Sequence, residues 1–127
     1  MHKSKLAGFC IDCKTDDLSS AAEFWAEALG APAKHETKPA TSAYVKLGMQ
    51  PGEPYIEVQS VEHPSRVHLD IEADDIPAEV ARLEALGATK IAEIRNWTVM
   101  EAPTGQRFCI VPVESADFEE KARRWND

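Results

Sequence analysis

Residues 68–76 read HLDIEADDI, and they repeat the pattern of residues 10–18, which read CIDCKTDDL. In both stretches a short alternating strand leads to a pair of aspartates. The second aspartate of each pair, Asp17 or Asp75, is placed to accept hydrogen bonds from the free N–H groups of a following helix. Self-similarity of this kind indicates that one supersecondary unit has been duplicated along the chain.

The repeat continues beyond these two stretches. Residues 28–31 and residues 85–88 both read ALGA. Before each of these stretches, apolar residues recur at spacings of three and four, which predicts a helix. Gly30 and Gly87 are predicted to end the two helices, because glycine tolerates the left-handed conformation found there. The predicted stripes are Leu18, Ala22, Trp25 and Leu29 in the first helix, and Ile76, Val80, Leu83 and Leu86 in the second. Later matches pair Tyr44 with Trp97, Gly52 with Gly105, and Tyr55 with Phe108.

The predicted fold is α+β: two tandem βαβββ units that form one curved eight-stranded mixed sheet, with helices on the convex face. A concave face of this kind is where a ligand would bind. We expect a single domain over residues 1–127, with unit 1 at about 6–62, unit 2 at about 66–113 and a tail at 115–127. In the second copy the last three strands are predicted at about Thr89–Ile94, Trp97–Ala102 and Arg107–Val113. In the tail, the spacing of Phe118, Ala122 and Trp125 predicts a short packing helix.

Composition argues against several classes of protein. The net charge of −8 disfavours binding to nucleic acids and to anionic membranes. No apolar run approaches the roughly 20 residues that cross a bilayer, and no export signal is recognisable, so we expect a cytoplasmic protein. Cys10 and Cys13 form a C-x-x-C pair within a predicted strand. Residues three apart on a strand point to opposite faces, so this pair is not expected to bind a metal or form a disulfide.

Strand alternation predicts which side chains face the concave side. On the first strand Phe9, Ile11 and Cys13 are expected beneath the helix, as are Leu69, Ile71 and Ala73 on the fifth. Polar side chains inside a sheet are costly unless paired or hydrated, which indicates a functional cleft. The side chains that face this cleft are then Cys10, Asp12, Lys14, His68, Asp70 and Glu72.

Each of these residues has a plainer alternative. Asp12 and Asp70 are also explained as partners of Lys14 or of nearby backbone, and His68 as a hydrogen-bonded structural histidine. Trp97 is either a core residue or an aromatic wall of the cleft. Trp25 fits the helical stripe and is expected in the core. The other histidines lie at the terminus or in loops and are assigned no role; they are His2, His35 and His63.

Three stretches resemble the vicinal oxygen chelate superfamily, and within it the glyoxalase-like domain branch. They are Phe24-Trp25 with residues 28–30, residues 67–70 (VHLD), and residues 97–100 (WTVM) with residues 105–109 (GQRFC). The resemblance covers roughly residues 6–113. The superfamily includes glyoxalase I, extradiol dioxygenases, fosfomycin-resistance enzymes, methylmalonyl-CoA epimerase and metal-free bleomycin-binding proteins. Homodimers are common in it and are compatible with this chain.

In metal-using members of that superfamily, His and Glu side chains hold a divalent ion. By resemblance, the corresponding positions here are Cys10, Glu57 or Gln59, His68 and Cys109, of which only His68 keeps the usual ligand type. We therefore predict no standard metal site, with a zinc ion on Cys10, His68 and Cys109 as the alternative. The internal alignment matches Cys109 with Ile56, which is expected beneath the sheet, so the direction of Cys109 stays open.

Three functions remain in competition. The first is a binding protein or metal-independent enzyme that holds a small polar molecule, either cationic or rich in hydroxyls. His68 is its predicted catalytic acid or base. The second is a divalent-metal-dependent lyase, isomerase or dioxygenase, and the third an interaction module acting through its acidic surface. The residues predicted to bind the substrate are Cys10, Asp12, Glu57, Asp70, Glu72, Trp97 and Cys109.

Overall fold

A computed structural model describes residues 1–34 and 44–127 of the chain, so His35 lies outside the described residues. Within these residues a mixed sheet of nine strands and three helices form an α+β fold, which is the predicted class. The strands are β1 His2–Lys14, β2 Ala33–Lys34, β3 Tyr44–Leu47, β4 Tyr55–Val61, β5 Arg66–Ala73, β6 Thr89–Ile94, β7 Trp97–Glu101, β8 Arg107–Val111 and β9 Arg123–Trp125. The helices are α1 Leu18–Leu29, α2 Ile76–Ala85 and α3 Phe118–Lys121. None of these helices has the length and apolar character needed to span a bilayer.

The order of the elements confirms the predicted duplication. The chain runs β1-α1-β2-β3-β4 and then β5-α2-β6-β7-β8, which is βαβββ twice. It separates into two compact units: the first unit is Gly8–His68, and the second unit is Met1–Ala7 together with Leu69–Asp127. The start of β1 therefore belongs to the second unit. The predicted domain boundaries stay a prediction.

In the first unit the strands follow the order β2-β3-β4-β1, with β4 parallel to β1 and the other pairs antiparallel. Helix α1 packs on one face of this sheet and buries Ala22 against Val45 and Val58. Trp25 packs against the same cluster, as predicted. The carboxylate of Asp17 accepts a hydrogen bond from the N–H of Ser20 at 3.1 Å, which confirms it as the helix cap.

The second unit repeats this arrangement with the strand order β5-β8-β7-β6, and with β5 parallel to β8. Its core forms where α2 covers Met100 and Ile110, both fully buried, with Ile71 packed against them. The side chain of Asp75 accepts from the N–H of Ala78 at 3.0 Å, so the second predicted cap is also confirmed. Strand β9 pairs antiparallel with His2–Ser4 at the start of β1.

A buried ionic network accompanies this last pairing. The imidazole of His2 lies within the protein, with Nε2 at 2.7 Å from Glu79 Oε1 and Nδ1 hydrogen-bonded to Asp127. Arg82 donates two hydrogen bonds to Glu79, at 2.8 and 2.9 Å, and stacks on the ring of Trp125. Burial alone would lower the pKa of His2, but the carboxylates of Glu79 and Asp127 outweigh burial and raise it.

The predicted helix in the tail is wrong beyond its first turn. Helix α3 ends at Lys121, because Ala122 has extended backbone, and Trp125 lies in β9. Pairing with β1 satisfies the backbone N–H and C=O groups of this segment, which outweighs the weak helical pattern of three apolar residues.

Three apolar residues that were expected in the cores are exposed. Leu69 on β5 is exposed, because the ten-residue α2 covers only Ile71 and Ala73 of that strand. Leu29 and Leu86 are also exposed. Both lie at the C-terminal end of their helices, beyond the part of each helix that packs on the sheet.

The internal alignment is wrong by three residues in the last strand of each unit, since Ile11 pairs with Val58 and its equivalent Leu69 pairs with Phe108. Tyr55 was matched with Phe108, yet Phe108 is a core residue, whereas in the first unit the core residue is Ile56. Gly52 and Gly105 both adopt positive φ, but Val58 lies six residues after Gly52 and Phe108 only three after Gly105. A slip by an odd number of residues reverses the face of every side chain on a strand.

Candidate functional site

The face of the first unit's sheet that lies opposite α1 carries the candidate site; we call it the polar face. Cys13 packs toward α1, so its neighbours on β1, Asp12 and Lys14, point to the polar face. The β1–β4 register places Cys10 beside Glu57 and Asp12 beside Gln59 on this same face. The polar residues of β1 therefore lie where alternation predicts them.

Asp12 is the centre of the polar face. Only 2% of its side chain is exposed, and its Oδ2 lies 2.8 Å from Nδ1 of His68. A carboxylate at this distance fixes the orientation of an imidazole and favours the tautomer that carries its proton on Nδ1. The side chain of His68 is 12% exposed, so it is mostly buried but retains some contact with solvent.

The pKa of Asp12 reflects this pairing. Burial by itself would raise the pKa of the carboxyl, because it disfavours the charged form. The hydrogen bond and charge of His68 outweigh burial, with smaller contributions from Cys10 and His63, and the pKa of Asp12 is lowered. Asp12 is therefore an anion at neutral pH and provides a permanent negative charge beside His68.

Two further basic side chains approach the same oxygen of Asp12. Arg66 places Nε 3.6 Å from Oδ2, and His63 places Nε2 4.0 Å from it. His63 is held in this position by a hydrogen bond between Nδ1 and the carbonyl oxygen of Pro64, at 2.9 Å. Three basic groups therefore surround one buried carboxylate.

Cys10 completes the cluster by contacting the other carboxylate oxygen of Asp12. Its Sγ lies 3.4 Å from Oδ1 of Asp12 and 3.4 Å from Oε1 of Gln59, where a thiol can donate to either oxygen. Ligand atoms of Cys10, Asp12 and His68 all lie within 4.8 Å of one another. Thiolate, carboxylate and imidazole are all zinc ligands, so this donor set fits a divalent ion held by three protein ligands.

An aromatic ring lies beside the polar cluster. Tyr55 packs so closely over Gly8 that a Cβ at position 8 would lie 2.5 Å from the ring and would also collide with the carbonyl oxygen of Tyr55. The ammonium group of Lys46 lies 6.0 Å from the centre of the same ring. Glycine at position 8 therefore permits an aromatic side chain to cover this end of the polar face.

The other predicted site residues belong to the second unit. Asp70 is buried and lies in register with Cys109 across β5 and β8, on the face opposite α2, because Phe108 and Ile110 face the α2 core. Alternation along β7, where Met100 is in the core, places Trp97 on that same face. This resolves the direction of Cys109.

Glu72 has a contact of its own in the second unit. Its Oε2 accepts from the backbone N–H groups of Glu114 and Ser115, each at 2.9 Å, and Oε1 lies 3.7 Å from the ammonium of Lys5. This carboxylate fixes the segment that follows β8. The predicted binding role of the whole residue set stays a prediction.

Sequence reasoning missed Arg66 and His63. They lie in and beside the loop before β5, so neither strand alternation nor the repeat singled them out. The signal that was available is the spacing of His63, Arg66 and His68, three basic residues within six positions of an otherwise acidic chain. A loop that leads into a strand end delivers such side chains to one place.

Comparison with known proteins gives a family and several similar folds. The family described as glyoxalase-like domain matches residues 8–111. No curated protein matches the chain. A hypothetical protein, BH1468 from Bacillus halodurans C-125, is similar with a TM-score of 0.61 and 13% identity, over 88% of this chain and 96% of that one.

Two other solved structures of similar fold are methylmalonyl-CoA epimerases. The Mycobacterium tuberculosis protein has a TM-score of 0.60 and 17% identity, with 86% of this chain and 88% of that one covered. A variant of the Streptomyces coelicolor protein, in complex with 2-nitronate-propionyl-CoA, has a TM-score of 0.58 and 14% identity, over 84% and 94%. These identities support a common fold. Because the family match spans most of the chain and agrees with the duplicated βαβββ order, the chain belongs to the glyoxalase-like domain family.

Proposed function

We propose that the polar face of the first unit binds a small polar organic molecule without a metal, and that His68 exchanges a proton with it. The observation that carries this proposal is the 2.8 Å hydrogen bond between His68 Nδ1 and the buried carboxylate of Asp12. A histidine oriented by a buried carboxylate is a recurrent general acid or base, because the carboxylate stabilises the imidazolium that forms during proton transfer.

The chemistry assigned to each residue follows from these contacts. Asp12 orients the ring and stabilises its charged form, so it is a positioning residue. His68 accepts or donates the proton at its other ring nitrogen, Nε2. Cys10 and Gln59 border the cluster and offer polar contacts to a bound molecule. The fold that this chain shares with methylmalonyl-CoA epimerases supports a small organic molecule as the ligand.

The surroundings of Asp12 favour a metal-free site. Three basic side chains, His68, Arg66 and His63, already lie within 4.0 Å of its Oδ2. A divalent cation bound to Asp12 would lie close to Arg66, and the repulsion between the ion and Arg66 would oppose its binding.

The test is a thermal-shift screen of small polar organic compounds against the full chain, followed by NMR of any compound that stabilises it. We expect such a compound to shift the imidazole signals of His68, and His68→Gln to weaken its binding about tenfold or more. Asp16→Asn is the control, since Asp16 is exposed in the same unit and no role is assigned to it. A compound that binds equally well to wild type and to His68→Gln would exclude the proposed role.

A second candidate is the metal-dependent lyase, isomerase or dioxygenase. The observation that favours it is the set of three donor atoms, from Cys10, Asp12 and His68, within 4.8 Å of one another. A bound divalent ion would polarise a carbonyl or stabilise an enolate. Elemental analysis of protein purified without a chelating tag separates the two candidates. We expect substoichiometric metal, and one ion per chain that is lost in Cys10→Ser would establish the second candidate.

A further inference from the structure

The basic groups around Asp12 differ in their hydrogen bonding: His68 and His63 each make a hydrogen bond, whereas Arg66 makes none within the described residues. Arg66 places Nε 3.6 Å from Asp12, beyond hydrogen-bond distance. Its side chain is 42% exposed. The two terminal nitrogens of a guanidinium form a planar fork that matches a carboxylate with two parallel hydrogen bonds.

Asp12 is not well placed to receive a cation. The carboxylate is almost fully buried, one oxygen faces three basic groups, and the other accepts from the thiol of Cys10. A cationic ligand would have to compete with Arg66 and with both histidines for one covered oxygen. The sequence alone suggested a cationic or hydroxyl-rich ligand from the acidic residues, but the contacts of Asp12 argue against the cationic choice.

The charge of the polar face points the same way. The charged side chains on it are four basic residues and two acidic ones: Lys14, Lys34, Lys46, Arg66, Asp12 and Glu57. The described residues of this face are therefore net positive even with neutral histidines, whereas the whole chain has a net charge of −8. A positive face on an acidic protein concentrates small anions and repels small cations.

We propose that Arg66, supported by His63, binds the carboxylate of a small organic acid and so determines the ligand class of the polar face. This inference rests on the proposed function, since it names the ligand that His68 would act on. In the proposed arrangement the fork of Arg66 holds the carboxylate, and the ligand's remaining atoms lie toward His68. Asp12 keeps Arg66 and His68 in place and does not contact the ligand's charge.

The experiment compares three probes of one chain length: succinate, succinamide and putrescine, which are anionic, neutral and cationic. Amide NMR spectra of the full chain are recorded at about 10 mM probe, since fragments of this size bind with Kd values near the millimolar range. We expect succinate alone to shift signals of His63, Arg66 and His68. Arg66→Gln is expected to weaken succinate binding about tenfold or more, and Arg66→Lys to restore part of it, because lysine keeps the charge but loses the fork.

Arg124→Gln is the matched control, because it removes one exposed positive charge from the second unit. It should leave succinate binding unchanged. Thermal unfolding of each variant establishes that it is folded before it is titrated. Equal loss of binding in Arg124→Gln and Arg66→Gln would show that net charge alone attracts succinate, and would overturn the inference.

The remaining outcomes separate this inference from the proposed function. Binding of putrescine or succinamide at His68, with no effect of succinate, refutes the carboxylate preference but leaves a small-molecule site in place. If none of the three probes binds, the carboxylate preference is refuted, and the thermal-shift screen alone then decides the proposed function.

Discussion

Asp12→Asn is the most informative single substitution, because it removes one charge and almost no volume. The carboxylate is 2% exposed and accepts from His68 at 2.8 Å, so solvent screens the interaction little. A hydrogen bond to a charged group contributes about 1.5–3 kcal/mol, and Asn keeps an acceptor but loses the charge. We therefore expect the free energy of unfolding to fall by about 2 kcal/mol, which is a loss of roughly thirtyfold in the folding equilibrium constant.

The assay is urea unfolding followed by tryptophan fluorescence, with Asp16→Asn as the control. Asp16 is exposed in the same unit and carries the same charge, so its substitution should change stability by less than about 0.5 kcal/mol. NMR of the imidazole of His68 gives the second readout. Because Asp12 favours a proton on Nδ1, the variant should show a changed tautomer ratio.

The stabilisation by Asp12 should depend on pH in a definite direction. The folded-state pKa of Asp12 is lowered, so its stabilisation is present above the ordinary Asp pKa and is lost as the pH falls through the lower folded value. The advantage of the wild type over Asp12→Asn should therefore shrink below about pH 4. An advantage that persists unchanged at acidic pH, or a variant as stable as Asp16→Asn, would refute the assignment of Asp12 as the charged centre.

Other predictions concern packing and the buried network of the second unit. The pKa of His2 is raised because the carboxylates outweigh the effect of burial. The free energy of unfolding should therefore fall as the pH rises above about 6.5 and through the pKa of His2 in the folded protein. His2→Gln should abolish this pH dependence in urea titrations. Glu79→Gln removes a fully buried charge with cationic partners and should cost about 3 kcal/mol by calorimetry; a loss under 1 kcal/mol contradicts this. Gly8→Ala forces a Cβ against Tyr55 and should cost about 2 kcal/mol or more, whereas Gly48→Ala, whose Cβ meets only side-chain atoms at 3.1 Å or beyond, should cost less.

The duplicated fold could be predicted because it depends on local signals. The aspartate caps, the glycines after the helices and the alternation of β1 each follow from short stretches of sequence, and the structure confirms the caps at Asp17 and Asp75. The register of the last strands could not be predicted in this way. Three additional residues between Gly52 and the matching residue of β4 reverse the faces of that strand, and turn length is not visible in an internal alignment.

The centre of the candidate site was predictable in part. Alternation selected Asp12 and His68, and the structure joins them by a hydrogen bond. Arg66 and His63 were not predicted, because their contribution depends on how the loop before β5 turns back to Asp12. The burial of the Asp12 carboxylate could not be predicted from the sequence either, since it depends on contacts between residues far apart in the chain.

The division of β1 between the two units has a consequence for the order in which the chain assembles. Residues 69–127 complete their sheet and enclose His2 only with residues 1–7, and the contact between His2 and Asp127 joins positions 125 apart. Closing so long a loop is entropically costly, so this unit should finish folding late. A circular permutant that links Asp127 to Met1 and opens the chain at residues 62–65 would make residues 69–127 and 1–7 contiguous, and the second unit should then fold faster than in the natural order.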